Sequence, residues 1–254
     1  MVAPPLWQLH TSIDAVIFDC DGTLSSIEGI DELAKINNIG DEVKKMTADA
    51  MGSTGLNPAL YQKRLDLVRP TQTQVNALSD LYLQHQSTDA LALIDILKRL
   101  NKSVYVISAG LYPAVLLFSE KMGIPRENVF AVDVRFDAQG NYIDFDSTSE
   151  LISHSGKRTV VTELIHKQPR TAYIGDGLND LSVRNLVTRF IGYGGAFFRE
   201  SIAAMCDFYV KTPNFSPILP LVLTRSESES LSKQDRDFYQ NGFSFLQDGH
   251  VLIR

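Results

Sequence analysis

The sequence feature that most limits the fold is a short apolar run that recurs along the chain and ends in acidic, serine or glycine residues. Four such runs begin at Asp14, Val104, Ala172 and Phe190. They are rich in β-branched or aromatic residues, which is typical of strands buried in a parallel sheet. Stretches with helical periodicity separate them, at residues 88–100, 111–122, 155–166 and 180–186. This alternation predicts an α/β fold with a doubly wound, Rossmann-like parallel sheet.

Residues 26–87 interrupt the alternation, because apolar residues recur there at helical spacing with no strand pattern between them. The spacing predicts about four helices packed together. Since this segment follows the first strand, we expect it to form an inserted helical cap over the strand ends, where it could act as a lid. The core domain would then comprise residues 1–25 and 88–224.

Residues 225–254 form a C-terminal extension to which the sequence assigns no role. Arg225–Ser230 alternates serine with charged residues and predicts a linker. Residues 243–253, around Asp248-Gly249, predict a hairpin that covers a surface or pairs with another subunit, although a loosely attached terminus fits as well. A second hairpin is predicted within residues 130–145, around Asp137–Gly140.

Composition excludes several classes of protein. Hydrophobic residues make up 44% and charged residues 21%, which suits a folded core. The net charge of −6 has the wrong sign for a protein that binds nucleic acid by neutralising phosphates. The two cysteines, Cys20 and Cys206, are too few for a disulfide framework. With no signal-peptide pattern and no apolar run near the roughly 20 residues of a membrane helix, we expect a cytoplasmic protein of undefined oligomeric state.

The densest polar motif is D-C-D-G-T-L, residues 19–24, directly after the first predicted strand. Asp19 and Asp21 can point into the same crevice if the chain leaves the pleat there, and Gly22 permits such a turn. Crowded carboxylates repel each other, and Mg²⁺ would offset this because it prefers oxygen ligands and keeps phosphate oxygens in its shell. Taken by itself, the motif fits a polar turn or a calcium-like loop as well.

Three further motifs place polar groups near strand ends, where ligands gather in sheets of this kind. Ser108-Ala109-Gly110 offers a hydroxyl and backbone N–H groups to phosphate oxygens at the start of a helix. Lys157 offers an ammonium at the start of another helix, although a lone lysine is ordinarily a solvated surface charge. Asp176 and Asp180 add two carboxylates at a strand-to-helix turn.

In this order, D-C-D-G-T-L, V-I-S-A-G, S-G-K and G-D-G-L-N-D resemble the four motifs of the haloacid dehalogenase superfamily of phosphatases. Within it, S-S-I-E-G-I-D-E-L-A-K-I, A-M-G and Arg64 in K-R-L resemble the phosphoserine phosphatases. The resemblance covers residues 14–224. It implies a hydrolase of a small phosphate ester, foremost O-phospho-L-serine, with Mg²⁺ as cofactor.

The resemblance assigns chemical roles to three aspartates. Asp19 would be the nucleophile that forms an aspartyl phosphate, and Asp21 would act first as general acid and then as general base. Mg²⁺ would be held by the Asp19 side chain, the Asp21 backbone carbonyl and Asp176.

The resemblance also implies the residues that surround the substrate. The phosphoryl oxygens would be bound by Ser108, Ala109, Gly110 and Lys157. Support behind the metal site would come from Asn179 and Asp180, the latter orienting Lys157. The amino-acid part would lie against Glu28, Met51, Gly52 and Arg64. Glu28 would pair with its ammonium and Arg64 with its carboxylate, which selects an amino acid over a sugar; outside the resemblance, both fit ordinary helix charges.

Two departures from the family pattern keep other substrates open. Ala109 stands where glycine is usual, and residues 53–57 of the cap lack the aromatic residue that is common there. The alternatives are another small amino-acid or amino-alcohol phosphate, or transfer of the phosphoryl group to an acceptor alcohol. A dehalogenase and a non-catalytic binding protein are the alternatives outside phosphatase chemistry. Asp21 argues against a dehalogenase, because a halide leaving group needs no proton.

Overall fold

A central sheet of seven strands organises the computed structural model, which describes residues 5, 7–50 and 55–254. The strands of the described chain are β1 (Ala15–Phe18), β2 (Ser103–Leu111), β3 (Val129–Val132), β4 (Val134–Phe136), β5 (Tyr142–Phe145), β6 (Thr171–Gly175), β7 (Arg189–Tyr193), β8 (Phe208–Val210) and β9 (Val251–Ile253). The order in the sheet is β3-β2-β1-β6-β7-β8-β9, parallel throughout except for the antiparallel pair β8 and β9. The predicted doubly wound α/β fold is confirmed.

Helices lie between the strands in sequence. Those in the described residues are α1 (Gly29–Ile36), α2 (Gly40–Asp49), α3 (Pro58–Val68), α4 (Gln72–Gln84), α5 (Ala90–Arg99), α6 (Tyr112–Lys121), α7 (Gly156–Ile165), α8 (Leu178–Leu181), α9 (Glu200–Met205), α10 (Ile218–Val222), α11 (Arg225–Glu229) and α12 (Lys233–Gln247). Within the described chain, no helix combines the length and the apolar character that crossing a bilayer requires.

Strand β1 is an inner strand of the sheet, and this determines where the site forms. Its four apolar residues are fully buried, and it pairs with β2 on one side and β6 on the other. Phe18 is in register with Val106 of β2 and Ile174 of β6. The polar residues that follow these strands therefore meet at one edge of the sheet.

Helices α1 to α4 occupy the segment of the chain between β1 and α5. Asn57 caps α3 by accepting a hydrogen bond from Leu60 N, and Pro58 supplies a favourable first residue. Thr71 and Gln74 form a reciprocal capping box on α4. Helix α4 packs against α6 of the sheet region, with its Tyr82 ring 5.5 Å from that of Phe118. The division of the chain into a core and a cap stays a prediction.

The C-terminal segment differs from what the sequence predicted. The predicted linker at Arg225–Ser230 is wrong, because Thr224 and Glu227 form a capping box that starts α11. The hairpin predicted within residues 243–253 is wrong as well. Its first half belongs to α12, which ends at Gln247. Gly249, just after the helix, has a left-handed conformation (φ 74°). The second half of the predicted hairpin is β9, which pairs with β8.

The hairpin predicted within residues 130–145 is confirmed for β4 and β5, which pair antiparallel. Residues before it, Val129–Val132, instead form β3 at one edge of the main sheet. Strand β2 is longer than predicted. It continues through Ser108 to Leu111, so that α6 begins at Tyr112.

Candidate active site

The carboxyl ends of β1, β2 and β6 bring most of the predicted site residues to one pocket. Those that line it are Asp19, Asp21, Glu28, Arg64, Ala109, Gly110, Lys157 and Asn179. Ser108, Asp176 and Asp180 are buried beside it. Met51 and Gly52 lie outside the described residues.

Asp19 is buried directly after β1. Its Oδ1 accepts a hydrogen bond of 2.7 Å from Cys20 N, and its Oδ2 lies 2.7 Å from Lys157 Nζ. Burial raises the pKa of the Asp19 carboxyl well above its usual range, the charge of Asp180 adds to this, and Lys157 opposes it. Lys157 thus favours the ionised form of the Asp19 carboxyl.

Lys157 lies in the first turn of α7 and is only 3% exposed, so a solvated surface charge is excluded. Its Nζ lies 2.7 Å from Asp19 Oδ2 and 2.7 Å from Asp180 Oδ1. Burial disfavours its charged form, but the two carboxylates outweigh this and hold the pKa of Lys157 above its usual range. Gly156 is required just before it, because a Cβ there would lie 1.8 Å from the Glu150 carbonyl oxygen.

Asp180 is held by donors at both of its oxygens. Oδ1 accepts hydrogen bonds of 2.7 Å from Tyr173 Oη and from Lys157 Nζ, and Oδ2 accepts one of 2.9 Å from Gly177 N. These bonds tie α8, α7 and β6 together. Asp180 therefore fixes the position of the Lys157 ammonium.

Asp19, Asp176 and Asp180 form a group whose carboxylate oxygens lie within 4.8 Å of one another. Burial raises the pKa of Asp176 to about 6, although the nearby Arg199 guanidinium acts in the opposite direction. Three buried carboxylates at this separation have the charge and the oxygen atoms to hold a divalent cation. The Asp180 carboxylate accepts three hydrogen bonds from described residues, against two at Asp19 and one at Asp176, so Asp19 and Asp176 are the better placed ligands.

The Asp21 side chain points away from this acidic group, toward the helices that follow β1. Its Oδ1 accepts hydrogen bonds of 2.6 Å from Gly29 N and 2.6 Å from Tyr82 Oη. Its Oδ2 accepts one of 3.2 Å from Ser108 Oγ, which itself accepts one of 2.8 Å from Gly110 N. Asp21 thus connects α1, α4 and the end of β2.

Glu28 and Arg64 are buried in the pocket wall, at 9% and 4% exposure, so neither is a solvated helix charge. Burial and the charge of Asp176 raise the pKa of Glu28 well above its usual range. Arg64 Nη1 donates a 3.2 Å hydrogen bond to Thr47 Oγ1. Its buried Nε has no hydrogen-bond partner among the described residues. An unpaired buried guanidinium N–H is suited to donating a hydrogen bond to an anionic ligand.

A family model described as a haloacid dehalogenase-like hydrolase matches residues 13–183. The chain belongs to this family. The predicted resemblance, and with it the prediction of an enzyme, is confirmed. Phosphoserine phosphatase of Homo sapiens is 35% identical over 207 residues, which are 81% of this chain and 92% of that protein. The chloroplastic phosphoserine phosphatase of Arabidopsis thaliana is 35% identical over 210 residues, 81% of this chain and 70% of that one.

Solved structures support the same fold. A phosphoserine phosphohydrolase-like protein from Francisella tularensis superposes with a TM-score of 0.75 at 23% identity, covering 83% of this chain and all of that one (100%). A substrate-bound phosphoserine phosphatase complex superposes with a TM-score of 0.74, also at 23% identity, covering 84% of this chain and 100% of that one. At this level of identity the likeness concerns the fold.

Arg199 is a residue of this haloacid dehalogenase-like hydrolase that sequence reasoning missed. It precedes α9, and its Nη1 donates a 3.1 Å hydrogen bond to the Asp176 carbonyl and a shorter one to the Asp176 carboxylate. Its Nη2 lies 3.8 Å from Glu28 Oε1. The segment after β7 carried one usable signal, since it follows the carboxyl end of a strand as the recognised motifs do.

Tyr61 and Tyr82 were missed too, and both line the pocket. Tyr61 Oη donates a 3.0 Å hydrogen bond to the Ala109 carbonyl and so joins α3 to the end of β2. The aromatic group absent from residues 53–57 is therefore present in the pocket, one helical turn before Arg64. Neither tyrosine belongs to a motif, and only packing shows that their hydroxyls face the site.

Proposed function

We propose that this haloacid dehalogenase-like hydrolase is a Mg²⁺-dependent phosphomonoesterase that converts O-phospho-L-serine to L-serine and phosphate. The observation that carries the proposal is the buried Asp19 carboxylate with Lys157 Nζ at 2.7 Å and two further carboxylates beside it. The names of its relatives, phosphoserine phosphatases at about a third identity, favour the same substrate. A cytoplasmic location and the absence of nucleic-acid partners stay predictions.

In the first step, an Asp19 carboxylate oxygen attacks phosphorus, and the bond from phosphorus to the ester oxygen breaks. Asp21 gives its proton to the departing serine oxygen, which leaves as the alcohol. The product on the protein is an aspartyl phosphate. Ser108 Oγ, the backbone around Ala109 and Gly110, and the Lys157 ammonium would bind the phosphoryl oxygens.

In the second step, water attacks phosphorus and the bond from phosphorus to Asp19 breaks. Asp21, now a carboxylate, takes a proton from that water, so each turnover returns both aspartates to their starting states. Lys157 stays between Asp19 and Asp180 throughout, where it limits the repulsion between Asp19 and the anionic phosphate.

The acidic group fits the cofactor. Asp19, Asp176 and the Asp21 backbone carbonyl would hold Mg²⁺, with Asn179 and Asp180 supporting them. Bound there, the ion supplies positive charge against the transferring phosphoryl group. Asp180 serves chiefly to position Lys157, as its own hydrogen bonds indicate.

Substrate choice would come from the pocket wall opposite Asp19. The unpaired Arg64 Nε supports binding of the substrate carboxylate, and the buried Glu28 carboxyl supports binding of the ammonium. Tyr61 would contact the carbon chain between them. Opposite charges placed for an ammonium and a carboxylate favour an amino-acid phosphate over a sugar phosphate.

The test is phosphate release from O-phospho-L-serine beside a panel of small amino-acid, amino-alcohol and sugar phosphates, with and without Mg²⁺. Asp19→Asn is the blank, and trapping of acid-stable phosphate on the native protein but not on this variant reports the aspartyl phosphate. We expect phosphoserine to lead, and Arg64→Ala to raise its KM far more than that of an amino-alcohol phosphate. A different leading ester would overturn the substrate, and release that survives Asp19→Asn would overturn the mechanism.

A further inference from the structure

Tyr82 reaches the acid–base residue from a helix that carries none of the recognised motifs. It lies near the end of α4, is fully buried, and its Oη donates a 2.6 Å hydrogen bond to Asp21 Oδ1. Its ring packs against Phe118 of α6, with centroids 5.5 Å apart. Burial and the contact with Phe118 therefore fix the position of the Tyr82 phenol.

The two oxygens of Asp21 have different partners. Oδ1 accepts from both Tyr82 Oη and Gly29 N, each at 2.6 Å, and a carboxylate oxygen has two lone-pair directions. Oδ2 faces Ser108 Oγ at 3.2 Å, and a Cβ added to Gly110 would lie 2.8 Å from it. Oδ2 is thus the oxygen directed at the proposed phosphate seat.

Tyr82 has the chemistry of a fixed donor. Burial raises the pKa of its phenol well above the usual range, and the charge of Asp21 adds to this. The hydroxyl consequently keeps its own proton and occupies an Asp21 lone pair. A proton on Asp21 therefore has room only on Oδ2.

We propose that Tyr82 is a positioning residue for the acid–base steps: together with the Gly29 amide it occupies Oδ1 of Asp21, so that the transferred proton is carried on Oδ2. This inference rests on the proposed function. In the first step the proton passes from Oδ2 to the departing serine oxygen, and in the second step a proton from water returns to Oδ2. Tyr82 neither gains nor loses a proton.

Gly29 makes room for this arrangement. A Cβ at this position would lie 2.1 Å from Tyr82 Oη, 2.9 Å from Tyr82 Cζ and 2.9 Å from Leu78 Cδ2. Gly29→Ala would therefore displace the phenol hydroxyl while keeping the backbone N–H. It offers a second way to break the same contact.

The test compares kcat/KM for two esters in the native protein and in Tyr82→Phe. Phosphoserine has an alkoxide leaving group that needs a proton, whereas p-nitrophenyl phosphate releases a stable phenolate that does not. Because kcat/KM covers only the steps up to departure of the leaving group, the second step does not enter. We expect roughly a tenfold fall for phosphoserine and less than about a twofold fall for p-nitrophenyl phosphate.

Three variants complete the comparison. Asp21→Asn removes the proton donor and so gives the largest expected difference between the two esters in the fall of kcat/KM, about 10²-fold or more. Tyr193→Phe removes a buried phenol hydroxyl that donates to the Pro213 carbonyl outside the pocket, and we expect it to leave the ratio between the esters unchanged. Gly29→Ala should change the ratio as Tyr82→Phe does, and the double variant should add nothing further.

The outcomes separate the inference from the function on which it rests. Turnover of phosphoserine that Asp19→Asn abolishes supports the function, whatever Tyr82 does. Equal losses for the two esters in Tyr82→Phe, or no loss for either, would overturn the role of Tyr82 alone. Absence of turnover in the native protein would overturn both.

Discussion

Lys157 Nζ lies 2.7 Å from Asp19 Oδ2, and the two side chains are only 4% and 9% exposed. A carboxylate in such a place is costly without a cation, and burial alone raises its pKa well above the usual range. The lysine therefore acts on two properties at once. It favours the ionised form of the Asp19 carboxyl, and it offsets the charge that Asp19 and Asp180 bring into the interior.

Replacing Lys157 with methionine should test both properties. The change leaves Asp19 and Asp180 buried without their cation, so we expect the free energy of unfolding at pH 7 to fall by about 3–5 kcal/mol. The loss should shrink as pH falls, because the Asp19 carboxyl, whose pKa is raised by burial, then takes up a proton. Denaturant titration measures it, with Lys167→Met, an exposed lysine just beyond the same helix, as the matched control. Equal effects of the two substitutions would contradict this account.

The pKa of Asp176, about 6 against an ordinary 3.8, predicts how stability depends on pH without metal. Between these values the folded protein binds more protons than the unfolded chain, so its stability should fall as pH rises from about 4 to about 6. Thermal unfolding in a chelating buffer measures this slope. Asp176→Asn should flatten it, and a slope that Asp176→Asn leaves unchanged would assign the titration to another group.

Mg²⁺ should restore much of the stability that the metal-free protein loses when Asp176 ionises. Binding to the folded state alone stabilises it by about 2.7 kcal/mol at a hundredfold excess of ion over Kd. We expect Mg²⁺ to raise the Tm of the native protein more at pH 7.5 than at pH 5, because protons compete for the same carboxylates. Asp176→Asn should lose most of this shift. The shift is measured without substrate, so it reports the metal site apart from turnover.

How well the sequence predicted the site depended on how each residue reaches it. Asp19 and Asp176 directly follow β1 and β6, and Ser108 lies near the end of the adjacent parallel strand β2, so the geometry of the sheet brings those positions together. Tyr82 reaches Asp21 from a helix face, and Arg199 reaches Asp176 beside the pocket from a loop, where a polar tip becomes buried only through packing. No local pattern carries that information.

The C-terminal segment shows the same limit in secondary structure. Serine-rich alternation after Thr224 resembles a linker, yet the same residue types form the capping box of α11. In α12 the buried positions Tyr239, Gly242 and Leu246 follow helical spacing, but Asp248-Gly249 just after them suggested the turn of a hairpin. Which pattern prevails depends on the surface against which the segment packs.

Arg199 lies against Asp176, so its removal should affect stability and metal binding in opposite directions. Arg199→Gln leaves Asp176 and Glu28 without their nearest described cation, and we expect the metal-free protein to lose about 1–3 kcal/mol. The same change makes the site more negative, so Mg²⁺ should raise the Tm of this variant more than that of the native protein. A smaller shift would mean that the guanidinium helps to form the metal site.

Glu227 of the C-terminal extension should stabilise the fold without touching the chemistry. Its Oε1 lies 2.6 Å from Nζ of Lys102, whose side chain is 2% exposed, whereas the neighbouring Arg225 and Glu229 pair is 80% and 63% exposed. We expect Glu227→Gln to cost about 2–3 kcal/mol, because it leaves a buried ammonium without its carboxylate. Glu229→Gln, on the same helix, should cost less than about 0.5 kcal/mol.

The hydrogen bonds from Lys102 and Ser12 lower the pKa of Glu227 against the effect of burial, so its contribution should be lost as pH falls below about 4.5. Denaturant midpoints of both variants at pH 7 and pH 3 measure this, and a difference between them that is undiminished at pH 3 would contradict it.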